Sequence, residues 1–239
     1  MMKRLIPVIL MLPLVLNAAD DTETAQATWK GEGELGFVST SGNSESENLN
    51  ASLSVSRELG RWKHAAAIET IRAKTEDVVS ADSLVLSEKS EYSLGEKSYV
   101  FGKLRYEDDE FSGYDRQASV SFGVGSRFVE NERHLLDASL GLGYRSLKER
   151  ATGVSEEDGI VTADLKYQYK ISESATFAES ILVESGDENT HSESDTSVRA
   201  KIDGNLATKI SYLVKRNSEV PPDIEKSDEI VSISLVYAF

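Results

Sequence analysis

The sequence predicts an all-β protein, a 12-stranded antiparallel transmembrane β-barrel, and three observations support this fold class. Polar and apolar residues alternate through most of the chain, for example over 117–125 and 134–146, as they do in strands with one apolar and one polar face. Long and short connections follow one another between the alternating segments, which is typical of outer-membrane barrels. The chain also starts with a segment typical of exported proteins and ends on Phe239.

Residues 1–19 are expected to form a secretory signal peptide. Lys3 and Arg4 give this segment a positive start, and an apolar run over residues 5–16 follows directly. Such a run is too short for a stable transmembrane helix and has the length of the apolar core of a signal peptide. Residues 20–28 are then expected to form a periplasmic N-terminal spacer.

The remaining chain, residues 29–239, divides into twelve candidate strands. They lie at about 29–39, 47–58, 62–73, 83–94, 98–107, 115–128, 134–146, 159–170, 175–185, 195–206, 209–217 and 228–239. Most exceed the roughly 9–11 residues that a tilted strand needs to cross the hydrocarbon of a membrane. Alternation is weaker in the third, fourth, fifth and ninth strands, so barrels of 10 or 14 strands are alternatives, and a soluble secreted β-sandwich is a rival fold.

The composition limits the functions that such a fold can carry. The formal net charge is −15, which argues against nucleic acid as a partner because phosphate binding needs clustered Lys and Arg. There is no Cys and there are three His, so a thiolate metal site or a His-based triad has few residues to draw on. The six long connections together carry more negative charge than the whole chain. The acidity therefore belongs to one end of the barrel.

The segment RYEDDEFSGYD, residues 105–115, carries the densest acidic cluster. It falls in the third long connection, where Asp108, Asp109, Glu110 and Asp115 offer the hard oxygen ligands that Ca²⁺ and Mg²⁺ prefer. Their spacing does not match the Asp-rich calcium loop of EF-hand proteins. A divalent-cation site is therefore one hypothesis, a tight acidic turn without an ion is the alternative, and catalysis is a third. No other cofactor is expected.

Charged residues at the polar positions of the strands are expected to face the lumen, since their apolar neighbours would face lipid. Two interpretations remain open. These charges either line a pore and set its ion selectivity, or they pair with one another and plug a narrow barrel. The lumen-facing charges are Arg145, Asp164, Lys166, Arg199, Lys201 and Asp203.

The ends of the strands carry two further signals. Leu235, Tyr237 and Phe239 occupy alternate positions at the C-terminus and resemble the signal by which outer-membrane barrels are recognised for insertion. Aromatic residues near the strand ends are predicted to form the interfacial belts of a membrane barrel. They are Trp29, Trp62, Tyr92, Tyr99, Tyr106, Phe128, Tyr144, Tyr169, Tyr212 and Tyr237.

Two stretches resemble a known family. WKGEGELGFVSTSGNSESENL, residues 29–49, and YEDDEFSGYDRQ, residues 106–117, are similar to the salt-induced outer-membrane proteins, and the resemblance extends over about 29–239. It implies an outer-membrane β-barrel without an established activity. It also implies a link to salt or osmotic stress, which no residue of the sequence indicates by itself.

The expected function is that of an outer-membrane β-barrel of the Gram-negative envelope. It is either a narrow cation-favouring channel or a structural protein with acidic external loops, and a surface protein that binds cations or a cationic partner is the alternative. Expected partners are outer-membrane lipid and lipopolysaccharide, and in transit the periplasmic chaperones and the barrel assembly machinery.

A lipid-modifying enzyme is disfavoured by the sequence. His191-Ser192-Glu193 lies in an acidic connection without the H-x-S-N-G pattern of outer-membrane phospholipases. His64 and His134 have no serine and carboxylate beside them in the sequence that would suggest a triad.

Overall fold

The computed structural model describes residues 28–40, 46–75, 78–110, 112–150, 152–221 and 224–239. The predicted signal peptide over 1–19 and all but the last residue of the spacer over 20–28 lie outside these residues. Within them the chain forms twelve antiparallel strands that close into one barrel, which confirms the predicted fold class and strand number. The described chain contains no helix with the length and apolar character needed to cross a membrane.

Consecutive strands pair in chain order around the barrel, and the last strand closes the ring against the first. The strands are β1 (Thr28–Thr40), β2 (Ser46–Leu59), β3 (Trp62–Thr75), β4 (Val78–Ser93), β5 (Ser98–Asp109), β6 (Tyr114–Glu130), β7 (His134–Glu149), β8 (Ser155–Lys170), β9 (Ala175–Ser185), β10 (Thr190–Asp203), β11 (Leu206–Asn217) and β12 (Ser227–Ala238). β10 begins at Thr190 rather than near residue 195, and β8 begins at Ser155 rather than near residue 159. Several acids that the sequence suggested for the long connections therefore lie on the barrel wall.

The two ends of the barrel differ in their connections. Five short turns, the start of β1 and the C-terminus lie at one end, termed the turn end below. The six connections β1–β2, β3–β4, β5–β6, β7–β8, β9–β10 and β11–β12 lie at the other end, termed the loop end.

Outward-facing positions form a broad apolar belt around the barrel. Phe122 and Leu142 are 66% and 70% exposed, and similar side chains project from every strand, including Val198 and Ile202 on β10, whose outward face is otherwise mixed. An apolar surface of this extent is unfavourable in water and fits a wall that faces lipid. Outward aromatic rings lie towards both ends, with Trp62 and Tyr92 in contact at the turn end at 4.9 Å between ring centroids.

The weak alternation of β4 and β9 has a structural reason. Their outward faces carry carboxylates where an apolar residue is expected, and neighbouring hydroxyl groups donate hydrogen bonds to these carboxylates. Ser90 donates to Glu88 at 2.6 Å. Ser194 and Thr196 donate to Glu179 at 2.7 Å and 2.6 Å. Hydrogen bonding lowers the cost of placing a charge on this face, so the strands persist where the apolar pattern fails.

The lumen is packed on one side and open on the other. On the side formed by β5 to β9, Tyr99 is fully buried and its hydroxyl donates to Asp137 at 2.6 Å. The prediction that Tyr99 belongs to an interfacial belt is therefore wrong. On the side formed by β1 to β3, the inward-facing Ser54 and Glu69 are exposed, so water can reach this wall. The buried apolar side chains of the packed side are Tyr99, Phe101, Leu147, Ile160 and Leu182.

Phe239 closes the ring at the turn end. Its N–H donates to the Gly31 carbonyl at 2.8 Å, and the Gly31 N–H donates to the Phe239 carbonyl at 2.7 Å. The Phe239 ring lies over Gly31 so closely that a Cβ at Gly31 would be 2.3 Å from a ring carbon. Leu235 and Tyr237 also face outward and are 54% exposed each. The three residues of the predicted insertion signal thus lie in a row on the lipid-facing side of the closing strand.

Replacing Gly31 with valine is expected to destabilise the barrel by about 1–3 kcal/mol, because the new side chain displaces the Phe239 ring from the seam. Gly33→Val is the matched control, since Gly33 lies on the same strand and face and a Cβ there meets nothing within 4 Å. Urea unfolding of the refolded proteins, followed by heat-modifiable mobility on SDS gels, measures the difference. Equal urea midpoints for the two variants would show that closure of the barrel does not require a residue without Cβ at position 31.

Candidate functional site

A cluster of five side chains crosses the lumen in its loop-end half. Arg105 and Glu107 project from β5, His191 and Glu193 from β10, and Lys215 from β11; together they are termed the luminal bridge. Strands β5 and β11 are six apart in a ring of twelve, so they form opposite walls. Four of the five residues are between 1% and 7% exposed. The bridge therefore joins opposite walls, while Glu69 on β3 at the same level stays exposed.

Ion pairs hold the bridge together. Arg105 donates to Glu107 at 2.7 Å and to Glu193 at 2.5 Å. Lys215 donates to Glu107 at 2.5 Å, and its Nζ lies 3.9 Å from Asp109. The bond between Lys215 and Glu107 joins opposite walls directly. Charge-assisted bonds of this length are strong in a low-dielectric interior and leave no gap for water between the groups.

His191 is held in the bridge at both ring nitrogens. The N–H of Glu219 donates to Asn189 Oδ1 at 3.2 Å, which turns the Asn189 Nδ2 group towards Asn217 Oδ1 at 2.8 Å. That same oxygen lies 3.1 Å from His191 Nδ1, and Glu193 lies 3.1 Å from His191 Nε2. Both ring nitrogens therefore have hydrogen-bond partners inside the barrel.

Three members of the bridge also have the spacing of a metal site. One ligand atom each from Glu107, His191 and Glu193 lies within 4.8 Å of the others. However, the carboxylates already accept from Arg105 and Lys215, and both ring nitrogens of His191 already have hydrogen-bond partners. The arrangement therefore favours an ion-pair bridge over a metal centre.

Sequence reasoning missed the bridge because it assigned His191 and Glu193 to a long connection and placed Glu107 only at the last position of the fifth candidate strand. A signal was nevertheless present on β5. Charged residues occupy every second position from Lys103 to Asp109, which is the pattern of a strand with a charged inner face. Their partners on β10 and β11 are far away in sequence, so no local pattern could identify them.

The predicted lumen-facing charges occupy several levels of the barrel. Asp164 on β8 accepts from Lys103 on β5 at 2.6 Å and adds a second link across the packed side. Arg199 pairs with Glu32 on β1. Lys166 faces inward and is exposed, and Lys201 and Asp203 are exposed near the turn end of β10.

Arg145 is fully buried and ties β7 to the loop end of the barrel. Its guanidinium donates to Asp158 at 3.0 Å and 3.3 Å, to the Glu184 carbonyl at 3.2 Å and to the Asn189 carbonyl at 2.5 Å. Asn189 belongs to the β9–β10 connection, so this single side chain fixes a connection from inside the lumen.

The four acids predicted as a divalent-cation site are not brought together. Asp108 and Asp109 are consecutive on a strand and face opposite sides of the wall. Asp108 lies 3.5 Å from Arg116 outside, and Asp109 contacts Lys215 inside. Asp115 pairs with Arg150 at 2.9 Å, and Glu110 is exposed at the end of β5. The segment is a turn whose acids are shared among separate cations.

The loop end is covered by connections that contact one another. Arg150 in the β7–β8 connection donates to the carbonyls of Asp109 and Ser112 at 2.6 Å and 3.2 Å. A Cβ at Gly113 would lie 2.7 Å from Pro221 of the β11–β12 connection. Because β5–β6 and β11–β12 start from opposite walls, this contact spans the mouth of the barrel.

A serine, a histidine and a carboxylate do meet on the outer surface, which the sequence did not indicate. His64 Nδ1 lies 2.7 Å from Ser90 Oγ, and Ser90 donates to Glu88 at 2.6 Å. The serine proton thus points to the carboxylate, and His64 donates to the hydroxyl instead of accepting from it. This is the reverse of the polarity that a nucleophilic serine needs.

Comparisons with known proteins agree with this architecture. A family model described as "Protein of unknown function, DUF481" matches residues 33–239. The uncharacterized protein YdiY of Escherichia coli strain K12 is 25% identical over 230 residues, which cover 94% of this chain and 88% of YdiY.

Two solved structures share the fold. The NanC porin matches with a TM-score of 0.54 and 11% identity over 88% of this chain and 98% of that chain. An outer-membrane channel from Pseudomonas putida F1 matches with a TM-score of 0.53 and 10% identity over 92% of this chain and 100% of that chain. At these identities the matches establish a common barrel fold and leave the site unassigned.

Proposed function

Because the chain belongs to the DUF481 family of proteins of unknown function, we propose its function from the barrel itself: a narrow, gated channel of the Gram-negative outer membrane that favours cations. The exposed apolar belt and the fold shared with a porin and an outer-membrane channel support this location. In outer-membrane barrels the short turns face the periplasm. The turn end would then be periplasmic and the loop end external.

The luminal bridge carries the proposal. It narrows a barrel whose β1–β3 side is accessible to water, and it does so by direct attraction between opposite walls. A plug of ion pairs can be opened by separating charges, whereas an apolar plug cannot be opened without exposing a core. The bridge is therefore suited to act as a gate.

Cation preference follows from the acids that line the open side and the mouth. Glu69 faces inward from β3, and the external connections are acidic. Glu32 and Glu34 also face inward, but Arg199 and Lys209 neutralise them. A narrow path with such walls concentrates cations and repels anions. Higher ionic strength would weaken this field, since the Debye length falls from about 10 Å at 0.1 M to about 3 Å at 1 M. This dependence is the link to salt and osmotic stress that we propose.

Single-channel recording of refolded residues 20–239 in planar bilayers tests the gate. The double variant Glu107→Gln/Lys215→Met removes the bond across the lumen and leaves the net charge unchanged. We expect it to conduct with a several-fold higher open probability than the natural chain. The reversal potential in a KCl gradient is expected to show cation preference, and this preference should shrink in Asp108→Asn/Glu110→Gln.

The matched control is Glu34→Gln/Lys209→Met. This pair has the same chemistry, with Lys209 Nζ 3.1 Å from Glu34 Oε2, but it joins β11 to β1 along one wall instead of across the lumen. Equal open probabilities for both double variants would exclude the bridge as the gate. Anion preference in the natural chain would exclude a cation channel.

A closed structural barrel is the second candidate, and the covered mouth favours it. The contact of Pro221 with Gly113 and the bonds of Arg150 close the loop end even if the bridge opens. Absence of conductance from every folded variant would support this role. Its acidic loops would then bind divalent cations together with lipopolysaccharide. We propose no enzymatic activity, since His191 is held in the bridge and Ser90 has the wrong hydrogen-bond polarity.

A further inference from the structure

The barrel wall is not closed along its whole height between β1 and β12. These strands pair from residues 32–36 on β1 to residues 234–238 on β12. Beyond this stretch, residues 37–40 pair with β2 alone, and residues 227–233 pair with β11 alone. The described part of the chain therefore leaves a lateral opening at the loop end of this seam.

The lower part of the opening lies in the apolar belt. Val231 and Ile233 flank it on β12 and face outward with 64% and 53% exposure, and Phe37 flanks it on β1 with 63%. Tyr212, paired with Val231, marks the aromatic level at the loop end. Backbone groups without strand partners are tolerated at membrane depth only where they line a hydrated or occupied cavity.

Such a cavity is present behind the opening, with a volume of about 260 Å³. Its lining comes from both faces of the wall. Ile71 and Ile230 point into the lumen, whereas Leu49 and Val231 point outward. Residues of both wall faces therefore border one cavity, at the level where β1 and β12 are not paired.

The charged side chains that line this cavity are mostly acidic. Asp109, Asp228 and Glu229 contribute three carboxylates and Lys215 contributes one ammonium group. Asp109 and Asp228 face the lumen, whereas Glu229 faces outward and accepts from Tyr212 at 2.7 Å. The cavity thus combines apolar side chains with a net negative charge. An apolar chain with a positively charged head complements both parts.

We propose that this opening is a lateral binding site for single-chain cationic amphiphiles that enter from the outer leaflet. The apolar chain lies between Leu49 and Val231, and the ammonium head lies beside Asp228 at the loop end of the lumen. The proposal rests on the outer-membrane placement proposed above but does not require conduction, because the ligand enters through the wall.

Electron paramagnetic resonance in phosphatidylcholine vesicles tests the site. A nitroxide-labelled alkyltrimethylammonium probe is expected to show an immobilised component in the presence of the folded barrel. The same probe with a sulfate head should bind about tenfold more weakly, because it meets net negative charge. Asp228→Asn should reduce this preference. Equal binding of both probes would overturn the assignment of a cationic head.

The matched variants are Ala73→Phe and Ala67→Phe. Both residues face the lumen from β3, but Ala73 lines the cavity and Ala67 does not. Filling the cavity should remove the site-specific component, whereas Ala67→Phe should keep it. Loss in both variants or in neither would overturn the site. If the barrel binds the probe but does not conduct ions, the proposed channel function is wrong and the proposed lateral binding site stands.

Disulfide formation tests the opening itself, and the natural chain has no Cys to interfere. Leu35→Cys/Leu235→Cys joins residues that are paired across the seam, and it should oxidise readily. Phe37→Cys/Ile233→Cys lies at the next outward positions towards the loop end, beyond the last pair of Gly36 with Ser234. It should oxidise far more slowly. Equal rates would show that the seam is closed at this level and would overturn the proposal.

Discussion

Replacing Arg105 with methionine is expected to lower the free energy of unfolding by about 3–5 kcal/mol. Arg105 neutralises two buried carboxylates at once, with 2.7 Å to Glu107 and 2.5 Å to Glu193. Without it, Lys215 and His191 face both acids alone in a site that water hardly reaches. Leaving a buried charge without its partner costs far more than an exposed pair contributes. Urea unfolding of the refolded barrel in liposomes measures the loss.

The control for this variant is Lys201→Met, which removes an inward-facing cation that is exposed near the turn end. Its expected effect is below about 1 kcal/mol because water screens the charge. The double variant Arg105→Met/Glu193→Gln should recover part of the stability, since it removes one carboxylate together with the cation that neutralised it. A loss as small as that of Lys201→Met would mean that the bridge is hydrated and open in the folded barrel.

Arg145→Met is expected to have an effect of similar size, about 3–5 kcal/mol, and to release the β9–β10 connection. The guanidinium is fully buried and donates to Asp158 and to the carbonyls of Glu184 and Asn189. Methionine fills much of the space but supplies no donor, so two carbonyls and a carboxylate lose their partner. Faster proteolysis near residues 186–189, together with the urea midpoint, would report this release.

Arg199→Met is the matched control, because Arg199 also faces the lumen and pairs with a single carboxylate. Its side chain is 38% exposed, and that of its partner Glu32 is 31% exposed. The expected loss is about 0.2–1 kcal/mol. If both arginine variants unfold at the same urea concentration, burial does not distinguish these sites and the connection is held by other contacts.

The strand pattern of this barrel is predictable from sequence because the lipid and the lumen impose opposite preferences on alternate residues. This pattern identified all twelve strands and the inward direction of Arg145, Asp164 and Arg199. It failed for Tyr99, where the packed side of the lumen is as apolar as the lipid side. Period 2 distinguishes the faces of a strand only when they border different media.

The functional cluster could not be predicted in the same way. The start of β10 was misjudged, so His191 and Glu193 were assigned to a connection instead of a wall. The bonds that matter join β5 to β10 and β11, and such pairings depend on the curvature of the closed ring rather than on local sequence. The opposite error was made for the acids at 108–115. These residues are close in sequence and were expected to bind one ion together, but they lie on opposite faces of the wall or pair with different cations.

The seam between Gly31 and Phe239 has a consequence for how the chain folds. Contacts across it join residues that are 200 apart for Glu34 and Ser234, and 167 apart for Glu32 and Arg199. Ring closure therefore involves the largest sequence separations in the protein, and such contacts form late because the entropy of closing long loops opposes them. Until β12 is in place, the first strand has an unpaired edge that can associate with other chains. Pairing of β12 with β1, rather than formation of individual hairpins, then sets the earliest moment at which this molecule can protect its own backbone.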